Sequence, residues 1–126
     1  SKQPLFDQKE RVDLVEAAVA HLNNVTVRRF QGLSVTFVRE QEAHVVLRGV
    51  RSLTDIESEF TMTLANRMLD SEIETVFLMA DAQYSHISSS LLKQITPLAN
   101  DIALGKFVPP AVVKALREKL AKKINP

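Results

Sequence analysis

Helical periodicity alternates along this chain with short β-branched runs, and that alternation limits the fold more than any other feature of the sequence. Asp7 with Glu10 has the spacing of a capping box, and Val12, Val15, Val19 and Leu22 then recur on one face, which predicts a helix over 7–22. After the Asn23-Asn24 break, Val25 to Phe30 alternates apolar with polar or charged residues and predicts a strand. Ser34 to Gln41 reads as a short helix burying Val35, Phe37 and Val38, and His44 to Leu47 as a strand covered on both faces, ending at Arg48-Gly49. Thr54 or Asp55 then caps a helix whose core stripe is Ile56, Phe60, Leu64 and Met68. Glu74 to Met79 is a strand, and Ser88 to about Leu98 is a helix disturbed in its last turn by Pro97. Pro109-Pro110 opens a final helix reaching about Lys122.

The order α-β-α-β-α-β-α-α implies an α/β fold, a parallel sheet with helices on both faces, in which ligands bind at the carboxyl ends of strands. Only three strands are visible and the pattern begins on a helix, so an opening strand and helix are expected to be absent from this chain. At 126 residues, 45% apolar and 25% charged, the chain suits one domain, 1–126. A formal charge of +1 supplies no broad field for a polyanion, so nucleic acid is not an expected partner and any anion site must be local. The absence of cysteine excludes disulfides and thiolate chemistry and suits a reducing compartment, the cytoplasm. No apolar run is long enough for a membrane helix, so no membrane association is expected.

Two segments carry chemistry suited to phosphate. Arg48-Gly49-Val50-Arg51 reads as a basic loop after a strand: Gly49 permits close backbone approach, the arginines offer forked donors, and the helix that follows adds a positive dipole end. The same arginines can instead be solvated or paired with Asp55 and Glu59. Ser88-Ser89-Ser90 places hydroxyls and unpaired backbone donors at a helix start, where an ordinary serine cap is the alternative. Lys2 can serve as a mobile phosphate ligand or be a solvated terminal lysine. His21, His44 and His86 lack metal-ligand spacing, so no protein-held metal is expected, and His86 is the histidine placed nearest a ligand. No nucleophile with a matching base is visible.

Leu47-Arg48-Gly49-Val50-Arg51, Asp55, Glu57, Glu59 and Asn66, then Glu74 to Met79, then Ser85 to Ser90, resemble the bacterial phosphopantetheine adenylyltransferase family in order and spacing, and the match extends from Ser1 to the final helix. The resemblance implies a Rossmann-like nucleotidyltransferase of coenzyme A synthesis, usually a homohexamer and open to feedback binding of coenzyme A. It would transfer AMP from ATP, with Mg²⁺, to 4′-phosphopantetheine, giving dephospho-coenzyme A and pyrophosphate. By motif match, Lys2 and Arg48 would hold the phosphate of 4′-phosphopantetheine, with Ser34 and Asn66 along that substrate. Gly49, Val50, Arg51, Glu59 and the run Tyr84, Ser85, His86, Ile87, Ser88, Ser89, Ser90 would hold ATP. Lys2, Arg48 and Arg51 would be the catalytic set, because such transfer asks mainly for positioning and positive charge.

Four departures accompany the resemblance. The family's opening strand and its Thr-x-Gly-His motif, whose histidine stabilises the transition state, have no counterpart in this sequence. Pro97 replaces a common arginine, Ser58 a common aromatic, and Asp101 to Phe107 looks lengthened. The alternative is therefore a catalytically silent nucleotide-binding or assembly module of the same fold.

Overall fold

Boundaries before Phe30 and after His86 divide the computed structural model, which describes residues 4–124, into two units. The unit from Phe30 to His86 contains α2 (Ser34–Glu40), β1 (Val45–Val50), α3 (Leu53–Leu69) and β2 (Glu74–Met79). The strands pair in parallel, from Val45 opposite Glu74 to Val50 opposite Met79. The Glu74 N–H to the His44 carbonyl (3.0 Å) and the Ala80 N–H to the Val50 carbonyl (2.8 Å) bracket the ladder. A parallel pair needs a long crossover, and α3 provides it.

Ser52, not Thr54 or Asp55, is the N-cap of α3, its Oγ accepting the Asp55 N–H at 3.2 Å. Asp55 stands three residues on and turns its carboxylate back to the Arg51 N–H (2.9 Å), so two orphan donors at the helix entry are satisfied by neighbouring side chains. At the other end the Asp70 N–H reaches the Asn66 carbonyl. Arg39 at the end of α2 forks onto the Asp70 carboxylate and reaches Glu72 at 2.7 Å, tying the close of α2 to the turn before β2. The buried apolar residues of this unit are Val35, Val50 and Ile73.

The expected α/β arrangement on a parallel sheet is present, with two differences. Val25–Phe30 is not a strand: it has no ladder partner, and Phe30 stacks on Phe37 with ring centroids 4.4 Å apart. Two strands are therefore found among the described residues, where three were expected. The expected burial also fails. Leu47 is 61% exposed, and its face-mates Val45, Val76 and Leu78 are exposed as well, so β1 is not covered on both faces. On α3, Phe60, Leu64 and Met68 are exposed, Met68 by 88%. Their exposure means that no described residue covers these faces, so the apolar stripe of α3 and one face of the sheet are left open.

The other unit contains α1 (Gln8–Val19), α4 (Ser89–Ile95), α5 (Asp101–Leu104) and α6 (Pro110–Ile124). α1 starts at the predicted capping box, with Asp7 accepting the Glu10 N–H at 2.8 Å and Glu10 accepting the Asp7 N–H at 3.0 Å. It ends at Val19, and Val15 and Leu22 of the predicted face are exposed. Lys119 of α6 holds Glu10 at 2.8 Å, which joins the two helices. α4 stops at Ile95, before Pro97, and the sequence reading missed α5, although Asn100 caps it by accepting the Ala103 N–H at 2.8 Å.

Arg117 of α6 organises the region between α4 and α5. Its Nε donates to Asp101 (2.9 Å), and its two terminal amines donate to the carbonyls of Thr96 and Ala99, the orphan acceptors after α4. Thr96 is buried with its hydroxyl donating to the Leu92 carbonyl at 2.6 Å, and Leu104, Leu116 and Val113 form the apolar core. Among the described residues no helix is long and apolar enough to cross a membrane. Leu104 is wholly buried, so Leu104→Ala should lower stability by about 2–5 kcal/mol, read as the shift in urea-unfolding free energy; a loss below about 1 kcal/mol would show that Leu104 is not a core residue.

Candidate functional site

Arg48, Gly49 and Val50 are the last residues of β1 and not a loop after it. The ladder extends through Val50 because the Ala80 N–H continues the pairing on its carbonyl. Val50 is the most buried residue of its unit and anchors the strand end. Gly49 has ordinary backbone geometry, and a Cβ placed there would meet nothing within 4 Å, so packing within the chain does not require glycine and space is open at this position.

Both arginines engage carboxylates of α3, the pairing anticipated as the alternative to phosphate binding. Arg48 forks onto Glu59 through Nε (2.7 Å) and Nη2 (2.6 Å), while Arg51 Nε lies 3.2 Å from Asp55. The hydrogen bonds from Arg48 hold the Glu59 carboxylate below its ordinary range, and those from Arg51 do the same for Asp55. A guanidinium has five N–H donors, so the fork to Glu59 spends two of those of Arg48 and fixes its plane. Glu59, assigned to ATP by motif, is therefore the group that orients Arg48. Asp55, not among the assigned residues, does the same for Arg51; its i, i+4 spacing from Arg51 was visible in the sequence.

Ser34 is the first residue of α2 and half-buried, after a turn in which Gly32 takes φ +92°, a conformation that favours glycine. Asn66 is half-buried on α3. Tyr84 and Ser85 lie in a turn, the Tyr84 N–H bonded to the Asp81 carbonyl and the Ser85 hydroxyl to the Ala82 carbonyl; His86, exposed, closes this unit. Ile87 opens the other, where Ser88 is the N-cap of α4, its Oγ accepting the Leu91 N–H at 3.1 Å. Ser88 thus performs the ordinary cap duty, and Ser89 and Ser90 occupy the first turn, exposed. Lys2 lies outside the described residues. Among the described residues no cluster of three or more histidines or carboxylates could hold a metal.

Because the folded-state pKa of Glu59 is depressed, its pair with Arg48 stabilises the fold in full above the ordinary glutamate range, and this contribution is lost as pH falls from there through the lower folded-state pKa. The stability gap between the wild type and Glu59→Gln, followed by chemical denaturation, should therefore be fully open above about pH 5 and narrow progressively as pH falls below about 4. A gap independent of pH would contradict the pairing.

Residues 1–95 match the family model described as cytidylyltransferase-like. The chain is similar to a phosphopantetheine adenylyltransferase of Rhodopirellula baltica, 56% identical over 121 residues that cover 95% of this chain and 68% of that protein. Proteins of the same name from Caulobacter vibrioides (47% identical; 96% of this chain, 75% of the relative) and Clostridium perfringens (45%; 95% and 72%) are similar along the same stretch. On this kinship the chain belongs to the phosphopantetheine adenylyltransferase family of nucleotidyltransferases.

Proposed function

We propose that the protein acts as a phosphopantetheine adenylyltransferase, the name its relatives carry, and that it transfers the adenylyl group of ATP to 4′-phosphopantetheine, giving dephospho-coenzyme A and pyrophosphate. A phosphate oxygen of 4′-phosphopantetheine attacks the α-phosphorus of ATP, the bond from that phosphorus to the bridging oxygen breaks, and pyrophosphate leaves. The observation that carries the reading is the pair of arginines at the end of β1, each held by a carboxylate of α3. Preorganised cations cost no reorientation when charge builds on phosphate oxygens, and that is the main demand of this chemistry.

In this reading Arg48 and Lys2 bind the acceptor phosphate, with Ser34 and Asn66 along the 4′-phosphopantetheine chain. Glu59 keeps the plane of Arg48 fixed and lies on the ATP side. Gly49 and Val50 offer backbone to ATP, and Arg51 neutralises the β- and γ-phosphates that leave. Tyr84, Ser85, His86, Ile87, Ser88, Ser89 and Ser90 complete the ATP contacts. Mg²⁺ would be carried by the phosphates of ATP and would neutralise their charge. The reading further places the protein in the cytoplasm, as a homohexamer subject to feedback by coenzyme A.

Arg51→Ala should lower kcat/KM for ATP by about 100-fold or more while KM for 4′-phosphopantetheine changes little, measured by pyrophosphate release from the full-length protein. Wild-type kinetics in this variant would remove Arg51 from the reaction.

A further inference from the structure

Within the unit that contains α4, a cavity of about 410 Å³ is lined by Ser89, Ser90, Lys93 and Arg11 together with an apolar wall that includes Phe6 and Leu116. Its charge balance sets it apart from two neighbouring cavities. Two other cavities of the same unit mix cations with carboxylates, Lys119 with Glu10, Asp13 and Glu118 in one, and Lys114 and Arg117 with Asp101 and Glu118 in the other. The cavity beside Ser89 has no carboxylate in its lining. A fourth, lined by Lys9, Arg28 and Arg29, is also cationic, but Lys9 there is bonded to Asp13 at 3.1 Å and no hydroxyl lines it.

Among the described residues no carboxylate neutralises either cation beside Ser89. Arg11 donates from Nη1 to the Phe6 carbonyl at 3.1 Å, a neutral acceptor that fixes the guanidinium without compensating its charge. Neither Arg11 nor Lys93 has an ion-pair partner among the described residues, in contrast to Arg39, Arg48, Arg51 and Arg117, each held by a carboxylate. A guanidinium, an ammonium and two hydroxyls around one cavity are donors of complementary reach: the planar fork takes two oxygens at once, and the lysine takes a third as a point charge. The apolar wall lowers the local dielectric and strengthens attraction for an anion. The volume falls in the range of small-molecule sites.

We propose that Arg11 and Lys93 form a polyphosphate-binding wall that, with Ser89 and Ser90, holds the pyrophosphate portion of ATP and the pyrophosphate product. The assignment rests on the reading that Ser89 and Ser90 contact ATP. It adds two residues that the motif match does not include, and it depends on side-chain cations around a cavity and not on the first turn of a seven-residue helix.

The test is calorimetry of the full-length protein with pyrophosphate, alongside steady-state kinetics. Lys93→Gln removes one charge with no hydrogen bond of the fold lost, and Arg11→Lys keeps charge while losing the fork. Lys93→Gln should weaken pyrophosphate binding about tenfold, Lys93→Gln with Arg11→Gln by about a further tenfold, and Arg11→Lys by less than Arg11→Gln. KM for ATP should rise in parallel and KM for 4′-phosphopantetheine stay within about twofold. Unchanged pyrophosphate affinity in Lys93→Gln and in the double variant overturns this proposal while leaving adenylyl transfer intact. Failure of the wild type to turn over ATP with 4′-phosphopantetheine overturns the functional reading instead, and the calorimetric comparison still decides the cavity.

Discussion

The fork from Arg48 to Glu59 is the contact on which the candidate site depends, because it fixes a cation at the end of a strand by means of the helix that follows it. β1 alone could present Arg48 in many rotamers, and α3 alone would carry Glu59 as an ordinary solvated residue. Joined, they convert a crossover connection into a rigid donor array. The register of β1 on β2 sets where the strand ends, and Val50, buried with its carbonyl bonded to Ala80, keeps that end from fraying. Asp55 repeats the device one turn earlier on α3, holding both the backbone and the side chain of Arg51. A carboxylate that pairs with an arginine is often taken as evidence against ligand binding. Here the pair holds each guanidinium in place at the end of the strand.

The second unit uses one arginine for a different purpose. Arg117 gathers the carbonyls left after α4 and the carboxylate of Asp101, so the short helix carrying Ser88 to Ser90 is anchored at its far end by α6. The contrast with Arg11 and Lys93 is informative: Arg117 meets a carboxylate, whereas these two cations line a cavity and meet none among the described residues.

Much of this was legible in the sequence, for identifiable reasons. The capping box at Asp7, the serine cap at Ser88 and the bounds of β2 are local signals, and local chemistry decided them. The extent of β1 was not local: Arg48, Gly49 and Val50 join the strand because β2 offers partners, which no short window reveals. Val25 to Phe30 is the converse, a strand pattern with no partner. The stripe of Phe60, Leu64 and Met68 was correctly placed on a helix but wrongly assigned to a core, because periodicity reports which face is apolar and not what lies opposite. Motif spacing found the arginines and serines, while the charge imbalance around Arg11 and Lys93, residues 82 positions apart, emerges only once the chain is folded.

The most direct measurement follows one atom through the reaction. Full-length protein is supplied with 4′-phosphopantetheine and ATP carrying ¹⁸O on the non-bridging oxygens of its α-phosphate, and the products are weighed by mass spectrometry. Dephospho-coenzyme A is expected to carry the label, with pyrophosphate released unlabelled in equal amount. Label that stays in ATP or AMP with no dephospho-coenzyme A formed would contradict it.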